Sequence, residues 1–454
     1  MAHTLPRRAF LGGLAAPMGL SGLAASMGLG GLATQVGTLG ALGAFPSPLA
    51  AQTDSLKSYI PRLEKALYEN SHPFWYPRCV DREQGGYMIN FNAAGEPNGR
   101  SSKMIVTQSR MVWYFSRMLR AGMTKPYSGA EFEEAAVHGA KFLREKMWDA
   151  KSGGYYWEVA RDGRPVRDQK HLYGQSFALY ALSEMYLATK RREALEAATE
   201  LFELLEKRSH DGEFGGYVEC FEADWVQTPE AKPGPMGPPR LKLMNTHLHL
   251  MEAMTAFYQA SRLPMARERL LELMTIESNT VVRKDIAACA DKYTREWKRL
   301  TDGPYARVSY GHDLENVWLL MDAAKAAGVS DAPLHDLYRV NWGYCLKYGW
   351  DAEKGGFYDN GLPGQPADRK QKTWWVQAEA LVSALKMYKL TGEAVYREVF
   401  ERTWDFVERE LIDWKVGTWH AEVSAEGRPR GEKAQMWKAG YHDGRALVEV
   451  LGAL

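Results

Sequence analysis

Hydrophobic residues in most of this chain recur at intervals of three and four positions, and short glycine-aromatic stretches interrupt them at regular distances. The segments "MIVTQSRMVWYFSRMLRAG" and "EFEEAAVHGAKFLREKMW" show the first pattern, which is typical of helices that bury one face. The stretch "WDAKSGGYYWEV" shows the second: an Asp, a few turn residues, a Gly-Gly pair and an aromatic-rich run with strand character. The alternation predicts pairs of long helices joined by short hairpin-like connections.

Five copies of the glycine-aromatic stretch divide the chain into units of similar length. Their marker glycines are Gly86, Gly154, Gly216, Gly356 and Gly417. The interval between the third and fourth markers is about twice each of the others, so we expect a degenerate copy midway, where "CADKYTREWKRL" (289–300) lies. Six units of ~66 residues then fill the chain beyond residue 52.

Six helix pairs must bury their apolar faces on one another, and a closed ring satisfies all of them. The predicted fold is therefore all-α: an (α/α)6 barrel of six helix hairpins with short β-hairpin-like Gly-aromatic connections, forming one catalytic domain over residues 52–454. An open solenoid is the alternative, but it needs polar capping repeats, and neither end of the chain reads as one. The inner helices of a barrel would surround a pocket at one end, where a ligand could bind.

Charge and motifs exclude several functions. The 57 Lys and Arg nearly balance the 56 Asp and Glu, and no basic block stands out, so nucleic acid is not an expected partner. The four cysteines lie singly, as core thiols do, although their spacing leaves disulfides open in an exported protein. Phosphate-binding glycine loops, dinucleotide fingerprints and Gly-x-Ser-x-Gly elbows are absent from the sequence, which argues against nucleotide cofactors and serine hydrolysis.

The N-terminal segment differs from the rest of the chain. Arg7 and Arg8 precede a Gly- and Ala-rich, weakly apolar run that ends in "SPLAAQT". Residues 1–51 resemble a twin-arginine export signal, with cleavage expected near Ala51 and a periplasmic or secreted mature protein without a stable membrane partner. A membrane anchor is the alternative, but glycines dilute the hydrophobicity that a spanning helix needs.

One histidine-rich helix is predicted at "LMNTHLHLMEAM". On this helix Asn245, His249 and Glu252 share a face, while His247 points elsewhere. A His-x-His metal site is disfavoured because residues two apart diverge on a helix and no third ligand is spaced to join them. We therefore predict no metal site, and a buried structural role for His247.

Two further histidines stand at predicted helix starts. In "VSYGHDLENVWLL", His312 and Glu315 are one turn apart, so the carboxylate is expected to orient the imidazole and raise its basicity. In "WKAGYHDGRALVEVL", His442 and Arg445 have the same spacing. Gly311 precedes the first of these histidines, and the partial positive charge of a helix N-terminus favours a neutral imidazole. Both histidines are candidates for acid/base chemistry.

Other candidates combine charge with aromatic surface. An arginine on an otherwise apolar helix is expected to be paired or functional, and tryptophans near pocket histidines are suited to stacking on sugar rings. The candidates are Arg110, Tyr173, Trp374, Trp375 and Trp437.

Five ordered motifs carry a family resemblance over nearly all of the predicted domain: "KHLYGQSFALYALSE", "NTHLHLMEA", "SYGHDLENVWLL", "WWVQAEALV" and "WKAGYHDGR". In order and spacing they resemble the N-acylglucosamine 2-epimerase superfamily, and most closely its cellobiose 2-epimerases. The resemblance implies a cofactor-independent enzyme that inverts C2 of a reducing-end aldose, such as that of a β-1,4-linked disaccharide, through ring opening and a cis-enediolate. A small sugar is then the expected partner, and the expected assembly is a monomer or weak homodimer.

The same resemblance implies residue roles. His312 and His442 would be the two acid/base groups, and His249 would assist ring opening. The residues implied to line the sugar site are Arg110, Tyr173, Asn245, Glu315, Trp374, Trp375 and Trp437.

Three alternatives remain open from the sequence. The same chemistry would suit a monosaccharide aldose–ketose isomerase or an N-acylglucosamine 2-epimerase. A glycoside hydrolase could use Asp313 and Glu315 as a carboxylate pair, although the neighbouring histidines argue against it. A non-catalytic glycan-binding barrel is the third.

Overall fold

A computed structural model describes residues 56–454, and helices dominate them. In chain order these helices are α1 (continuous through Ile60–Lys65, Ala66–Ser71 and His72–Trp75), α2 (Ile105–Ala121), α3 (Gly129–Phe142), α4 (Leu172–Thr189), α5 (Arg192–Arg208), α6 (Met244–Ser261), α7 (Pro264–Thr275), α8 (Tyr310–Ala327), α9 (His335–Tyr348), α10 (Trp374–Thr391), α11 (Ala394–Phe406) and α12 (His442–Ala453). One-turn π-helical extensions follow α3, α7 and α11 at Leu143–Met147, Ile276–Thr280 and Val407–Leu411, and short 3-10 turns occupy Lys57–Tyr59, Gly303–Ala306 and Ala332–Leu334.

The even-numbered helices form an inner ring and the odd-numbered helices an outer ring. Each inner helix contacts the next one, and α12 contacts α2, which closes the ring. This is the predicted (α/α)6 barrel. Five hairpins are consecutive in the chain, but the sixth pairs α12 with α1, so the two ends of the domain complete the barrel together.

Burial explains why the two rings differ in composition. Helix α4, "LYGQSFALYALSEMYLAT", is apolar around most of its circumference because it packs on the outer ring and also faces the barrel axis. Helix α5 is amphipathic and buries one stripe, made of Ala194, Ala198, Leu201, Phe202 and Leu205. Its glutamates and lysines cover the other face, as expected for an outer helix in contact with water.

The connections between hairpins contain only very short strands. They are β1 (Lys103–Met104), β2 (Glu158–Val159), β3 (Pro165–Arg167), β4 (Lys170–His171), β5 (Cys220–Phe221), β6 (Lys242–Leu243), β7 (Val282–Arg283), β8 (Ala288–Cys289), β9 (Lys292–Tyr293), β10 (Val308–Ser309), β11 (Asn360–Gly361), β12 (Lys372–Thr373), β13 (Glu422–Val423) and β14 (Pro429–Arg430). The strand that leads into an inner helix pairs antiparallel with a strand of the following connection, as Lys103 does with Val159. The strands therefore link neighbouring hairpins at the end of the barrel where the inner helices begin.

The repeated Asp of each glycine-aromatic turn has a structural role. Asp81 accepts the backbone N–H groups of Glu83 and Gln84, and its Oδ2 lies 2.8 Å from Lys103 Nζ at the start of the next inner helix. The equivalent pairs, each with a buried lysine, are Asp149–Lys170 (2.7 Å), Asp211–Lys242 (3.0 Å), Asp351–Lys372 (2.7 Å) and Asp413–Lys433 (2.7 Å). Four turns are thus fastened to the short strand that leads into the next inner helix, and the turn at Asp413 is fastened to the connection that precedes α12.

The degenerate sixth copy has kept its shape without this pair. Its turn runs between the paired strands β7 and β8, so the predicted stretch 289–300 forms the arm that follows the turn. Val308 stands where the other units have a lysine. The Cys289 N–H donates to the Asp313 carboxylate, as the Tyr155 N–H donates to Gln175 Oε1 in an intact unit.

All four cysteines are buried and unpaired in the described part of the chain, in agreement with core thiols. Between residues 56 and 454, no helix has both the length and the apolar character needed to span a membrane. The predicted export signal, residues 1–51, lies outside the described residues.

Candidate functional site

The six inner helices each contribute one side chain in the same register to the barrel interior. This residue is the sixth of α2, α4, α6, α8 and α10 and the fourth of α12, and the set is Arg110, Phe177, His249, Glu315, Glu379 and Arg445. The layer faces the axis, because Arg445 on α12 forms ion pairs with Glu315 on α8 and Glu379 on α10. The barrel is therefore closed beneath its mouth by a layer that is mostly charged.

His442 is held by Glu379. Its Nδ1 lies 2.7 Å from Glu379 Oε1. Glu379 also accepts a hydrogen bond from Trp318 Nε1 (3.0 Å) and forms an ion pair with Arg445 Nη2 (2.8 Å). Burial raises the pKa of Glu379, and the two other donors oppose that effect. Burial, together with the charges of Arg110 and Arg445, lowers the pKa of His442 well below its usual range. A neutral imidazole with Nδ1–H bound to Glu379 leaves Nε2 free as a base.

His249 has a similar arrangement. Its Nδ1 lies 3.0 Å from Glu252 Oε2, which also accepts the Tyr441 hydroxyl at 2.5 Å. Burial disfavours ionisation of Glu252, but Arg445, His249 and Tyr441 outweigh it and lower the pKa to about 2. Burial lowers the pKa of His249 to about 4. This histidine is also neutral at pH 7, and its ring stands edge-on to that of Tyr173, 5.2 Å away.

His312 occupies on α8 the register that His442 occupies on α12, three residues before the charged layer. Its ring centroid is 4.7 Å from that of Trp375, and Trp375 is 5.8 Å from His442, so one indole contacts both imidazoles. Burial lowers the pKa of His312, which Asp291 partly opposes. No hydrogen bond from residues 56–454 reaches this ring, and a cavity of about 200 Å³ lies beside it, bordered by Asp291 and Asn360.

Gly311 makes the close approach of Trp375 to His312 feasible. A Cβ at Gly311 would overlap the six-membered ring of the Trp375 indole. The glycine that precedes His312 in the sequence therefore leaves room for the aromatic side chain between the two histidines.

Arg110 is the cation of the site. Its Nη1 donates to the Trp437 carbonyl at 2.5 Å and its Nη2 to the Tyr173 hydroxyl at 3.2 Å. The guanidinium also lies 4.4 Å from the Phe177 ring centroid and 4.7 Å from that of Tyr441. Aromatic rings and neutral oxygens surround it, and no carboxylate in the described residues is hydrogen-bonded to it. Its charge is thus available to an anionic intermediate.

Two other predicted residues lie among these groups. Asn245 donates its backbone N–H to Asp291 Oδ1 (3.0 Å), while its own Oδ1 has no hydrogen-bond partner within the described chain. Trp374 lies edge-on to His442 with ring centroids 6.2 Å apart. His312, Asn245, Trp375 and Trp437 retain partial solvent exposure, as expected of groups that a ligand can reach.

One expectation is wrong: Glu315 does not orient His312. Glu315 is fully buried, and its Oε1 accepts a hydrogen bond from Arg445 Nη2. The His312 side chain lies against Trp375 instead, near the mouth. Spacing of one helical turn permits the pair, but the buried guanidinium is the stronger partner for the carboxylate.

Sequence reasoning also missed Glu379, Tyr441 and Asp291, which contact or face the histidines. A signal existed for Glu379, because it has the same register in its helix as Glu315 and His249. Alignment of the inner helices on their starts would have identified it.

The structural role predicted for His247 is confirmed. Its Nε2 accepts the Tyr217 N–H at 3.0 Å, and its Nδ1 donates to the Leu243 carbonyl at 2.9 Å. His247 thus accepts a backbone N–H of its glycine-aromatic turn, as Gln175 accepts the Tyr155 N–H in another turn. Both ring nitrogens are occupied by the fold.

One group of side chains in the described residues has the composition of a metal site. Glu315, Glu379 and His442 bring one ligand-type atom each within 4.8 Å of one another. Arg445 forms ion pairs with both carboxylates, so a guanidinium already balances their charge. Glu379 and Arg445 instead hold His442 in place.

Comparison with known proteins agrees with this geometry. The sequence model of the N-acylglucosamine 2-epimerase (GlcNAc 2-epimerase) family matches residues 85–446. The chain is 29% identical to the cellobiose 2-epimerase of Bacteroides fragilis over 394 residues, which cover 86% of this chain and 98% of that protein. It is 25% identical to the D-mannose isomerase of Marinomonas mediterranea over 406 residues, 86% of this chain and 96% of the relative.

Among solved structures, the cellobiose 2-epimerase of Bacillus thermoamylovorans superposes with a TM-score of 0.81 at 29% identity, covering 88% of this chain and all of that one. The family match extends over most of the chain and includes five of the inner helices in full and the start of α12. The chain therefore belongs to the N-acylglucosamine 2-epimerase family of carbohydrate epimerases and isomerases.

Proposed function

We propose that this enzyme is a cofactor-independent 2-epimerase that inverts C2 at the reducing end of a β-1,4-linked disaccharide such as cellobiose. The observation that carries the proposal is the pair of histidines: His312 and His442 have the same register on α8 and α12, on either side of Trp375. Inversion at carbon needs one base and one acid on opposite faces. The similarity to cellobiose 2-epimerases supports the substrate class.

The proposed reaction begins with opening of the sugar ring. Only the open form has a C1 carbonyl, which makes the C2 hydrogen acidic enough for a neutral imidazole to remove. His249 is suited to move a proton during ring opening, because Glu252 holds its Nδ1 and leaves Nε2 for the substrate. Its neighbour Tyr173 also contacts Arg110.

The two remaining histidines then exchange the C2 proton. One neutral imidazole removes it, and electrons move into the C1–C2 bond and onto the carbonyl oxygen to give a cis-enediolate. Arg110 stabilises the negative charge that develops. The other histidine carries a proton on Nε2, taken up from solvent before this step, and gives it to the opposite face of C2, which yields the epimer. Return of a proton to C1 instead would yield the ketose.

Monosaccharide aldose–ketose isomerisation is the second candidate. The similarity to a D-mannose isomerase supports it, because the same enediolate leads to either product. The carboxylate pair needed for glycoside hydrolysis has weaker support. Asp313 borders the cavity beside His312, but it is buried and accepts the Cys289 N–H, and Glu315 is bound to Arg445, so both carboxylates are already engaged by the fold.

The function can be tested by incubating the protein with cellobiose, mannose and N-acetylglucosamine, each in D2O without added metal, and following the products by NMR. Deuterium at C2 of an epimer of cellobiose is the expected result. Deuterated ketose from mannose would favour the isomerase, and release of glucose from cellobiose would favour a hydrolase. Absence of exchange with all three sugars would contradict the proposal.

We further propose that residues 1–51 export the enzyme through the twin-arginine route. Replacement of Arg7 and Arg8 by lysine should retain the unprocessed protein in the cytoplasm, whereas the unmodified chain is processed and leaves it. Cell fractionation with N-terminal sequencing distinguishes the outcomes. Equal export of both forms would contradict the assignment.

A further inference from the structure

Arg445 connects the supports of two histidines that lie on different helices. Its guanidinium donates to Glu252, which binds His249, and forms an ion pair with Glu379, which binds His442. It also donates to Glu315 and to the Tyr441 hydroxyl. One side chain of α12 is thus bound to α6, α8 and α10 at once.

The Arg445 side chain is buried among aromatic rings and has no access to solvent. The side chain is 1% exposed, and its guanidinium lies 4.7 Å from the Trp318 ring centroid and 4.4 Å from that of Tyr441. Water therefore cannot replace it. Three carboxylates converge on one cation, and without that cation their mutual repulsion in a buried site would favour uptake of protons.

From this geometry we infer that Arg445 is a shared positioning residue, which keeps Glu252 and Glu379 ionised and so holds His249 and His442 together in the Nδ1–H form with Nε2 free for substrate. Arg445 acts through these carboxylates and not on the sugar. The inference rests on the proposed function for its consequence in catalysis, but the state of the histidines can be measured without any sugar.

The groups that face the two histidines determine the expected response. His249 faces Glu252, Tyr173, Phe177 and Tyr441, and His442 faces Glu379, Trp374, Trp375 and Tyr441; Arg110 is the other nearby cation. Loss of Arg445 would remove a positive charge that disfavours both imidazolium ions. The histidines would then bind protons at higher pH, so the acid limb of the kcat/KM profile would move upward.

The test uses the full chain labelled with 15N-histidine, with ring signals assigned through His249→Gln and His442→Gln. Arg445→Lys keeps the charge and loses the three-way geometry. Arg445→Met combined with Glu315→Gln removes both members of a buried ion pair, which is better tolerated than removal of one.

Arg117→Met is the matched control, because Arg117 of α2 pairs with Glu449 of α12 (2.8 Å) and contacts neither of the carboxylates that bind the histidines. Glu252→Gln and Glu379→Gln disturb one support at a time.

We expect the Lys variant and the double variant to change the ring nitrogen signals of both His249 and His442 and to lower kcat about 100-fold or more with a smaller change in KM. The double variant, which loses the positive charge, should also move the acid limb upward. Glu252→Gln should affect the signals of His249 only, Glu379→Gln those of His442 only, and Arg117→Met neither. Unchanged ring signals and an unchanged pH profile in folded Arg445 variants would overturn the inference, even with a lower melting temperature, and so would an effect on one histidine alone. If no sugar is epimerised, the ring signals still decide the role of Arg445 while the proposed function fails.

Discussion

The Nδ1 of His442 lies 2.7 Å from Oε1 of Glu379, a residue 63 positions earlier in the chain and one inner helix away. This contact decides which nitrogen of His442 carries its proton. A histidine oriented by a carboxylate in this way is a common arrangement for a general base. His312, its counterpart on α8, has the Trp375 ring as its nearest support instead. The two proposed bases are therefore held differently.

We expect His312→Ala and His442→Ala each to abolish deuterium exchange at C2 of cellobiose. Each change removes one of two groups that must act on opposite faces of C2, and loss of such a group lowers the rate by about 100- to 10,000-fold. His335→Ala is the control, because His335 lies on the outer helix α9 and contacts Asp331. Circular dichroism must show folded protein in all three cases. Wild-type exchange in either of the first two variants would exclude the two-base assignment.

A methyl group at Gly311 should displace the Trp375 side chain that lies between the two histidines. We expect Gly311→Ala to displace the Trp375 indole from His312 and to lower kcat/KM, with little loss of helix α8, because alanine is the better helix former. Gly343→Ala on α9 is the matched control, since a Cβ there meets nothing within 4 Å. Steady-state kinetics and tryptophan fluorescence of the two variants give the comparison. Equal kcat/KM in both variants would show that the Trp375 indole can move away from His312 without loss of activity.

The activity should persist to a lower pH than an ordinary histidine would allow. Burial lowers the pKa of His249 to about 4, and it also lowers the pKa values of His312 and His442, so the imidazole that removes the C2 proton stays neutral below the usual histidine pKa of about 6.5. As the pH falls through the folded-state values, the bases become protonated and kcat/KM drops. An acid limb centred at or above about pH 6.5 would contradict the burial of these groups.

The same shift predicts how stability depends on pH. In the unfolded chain His249 would bind a proton near pH 6.5, and in the folded protein only near pH 4. The unfolded state therefore binds more protons below pH ~6.5, and the free energy of unfolding should fall between there and pH ~4. Urea unfolding across this range measures the effect, with His249→Gln expected to reduce the slope.

The buried Asp–Lys pairs of the turns should be important for stability. Lys170→Met leaves Asp149 buried without its cation, because Lys170 Nζ is 2.7 Å from Asp149 Oδ2 and its side chain is fully buried. We expect a loss of about 3–5 kcal/mol in the free energy of unfolding. Arg164→Met, in an exposed pair with Asp162, should change it by less than about 1 kcal/mol. Similar losses in the two variants would refute a special role for the turn pairs.

The sequence by itself determined the fold class, the number of units and most of the candidate residues. Helical periodicity and a repeated turn are local properties, and they survive in the chain as a pattern that can be counted. The histidines at helix starts were visible for the same reason. Arg110, Tyr173 and Trp437 meet in one cluster, as their selection as sugar-site candidates suggested.

Only the tertiary structure decided which partners those residues take. His442 pairs with Glu379 and Glu315 pairs with Arg445 because the inner helices of a closed ring face one axis, and the relative register of different helices depends on closure of the whole barrel. Spacing within one helix had predicted a bond between Glu315 and His312. That prediction was wrong because a buried carboxylate is stabilised most by the nearest buried cation, which lay on a helix 130 residues away.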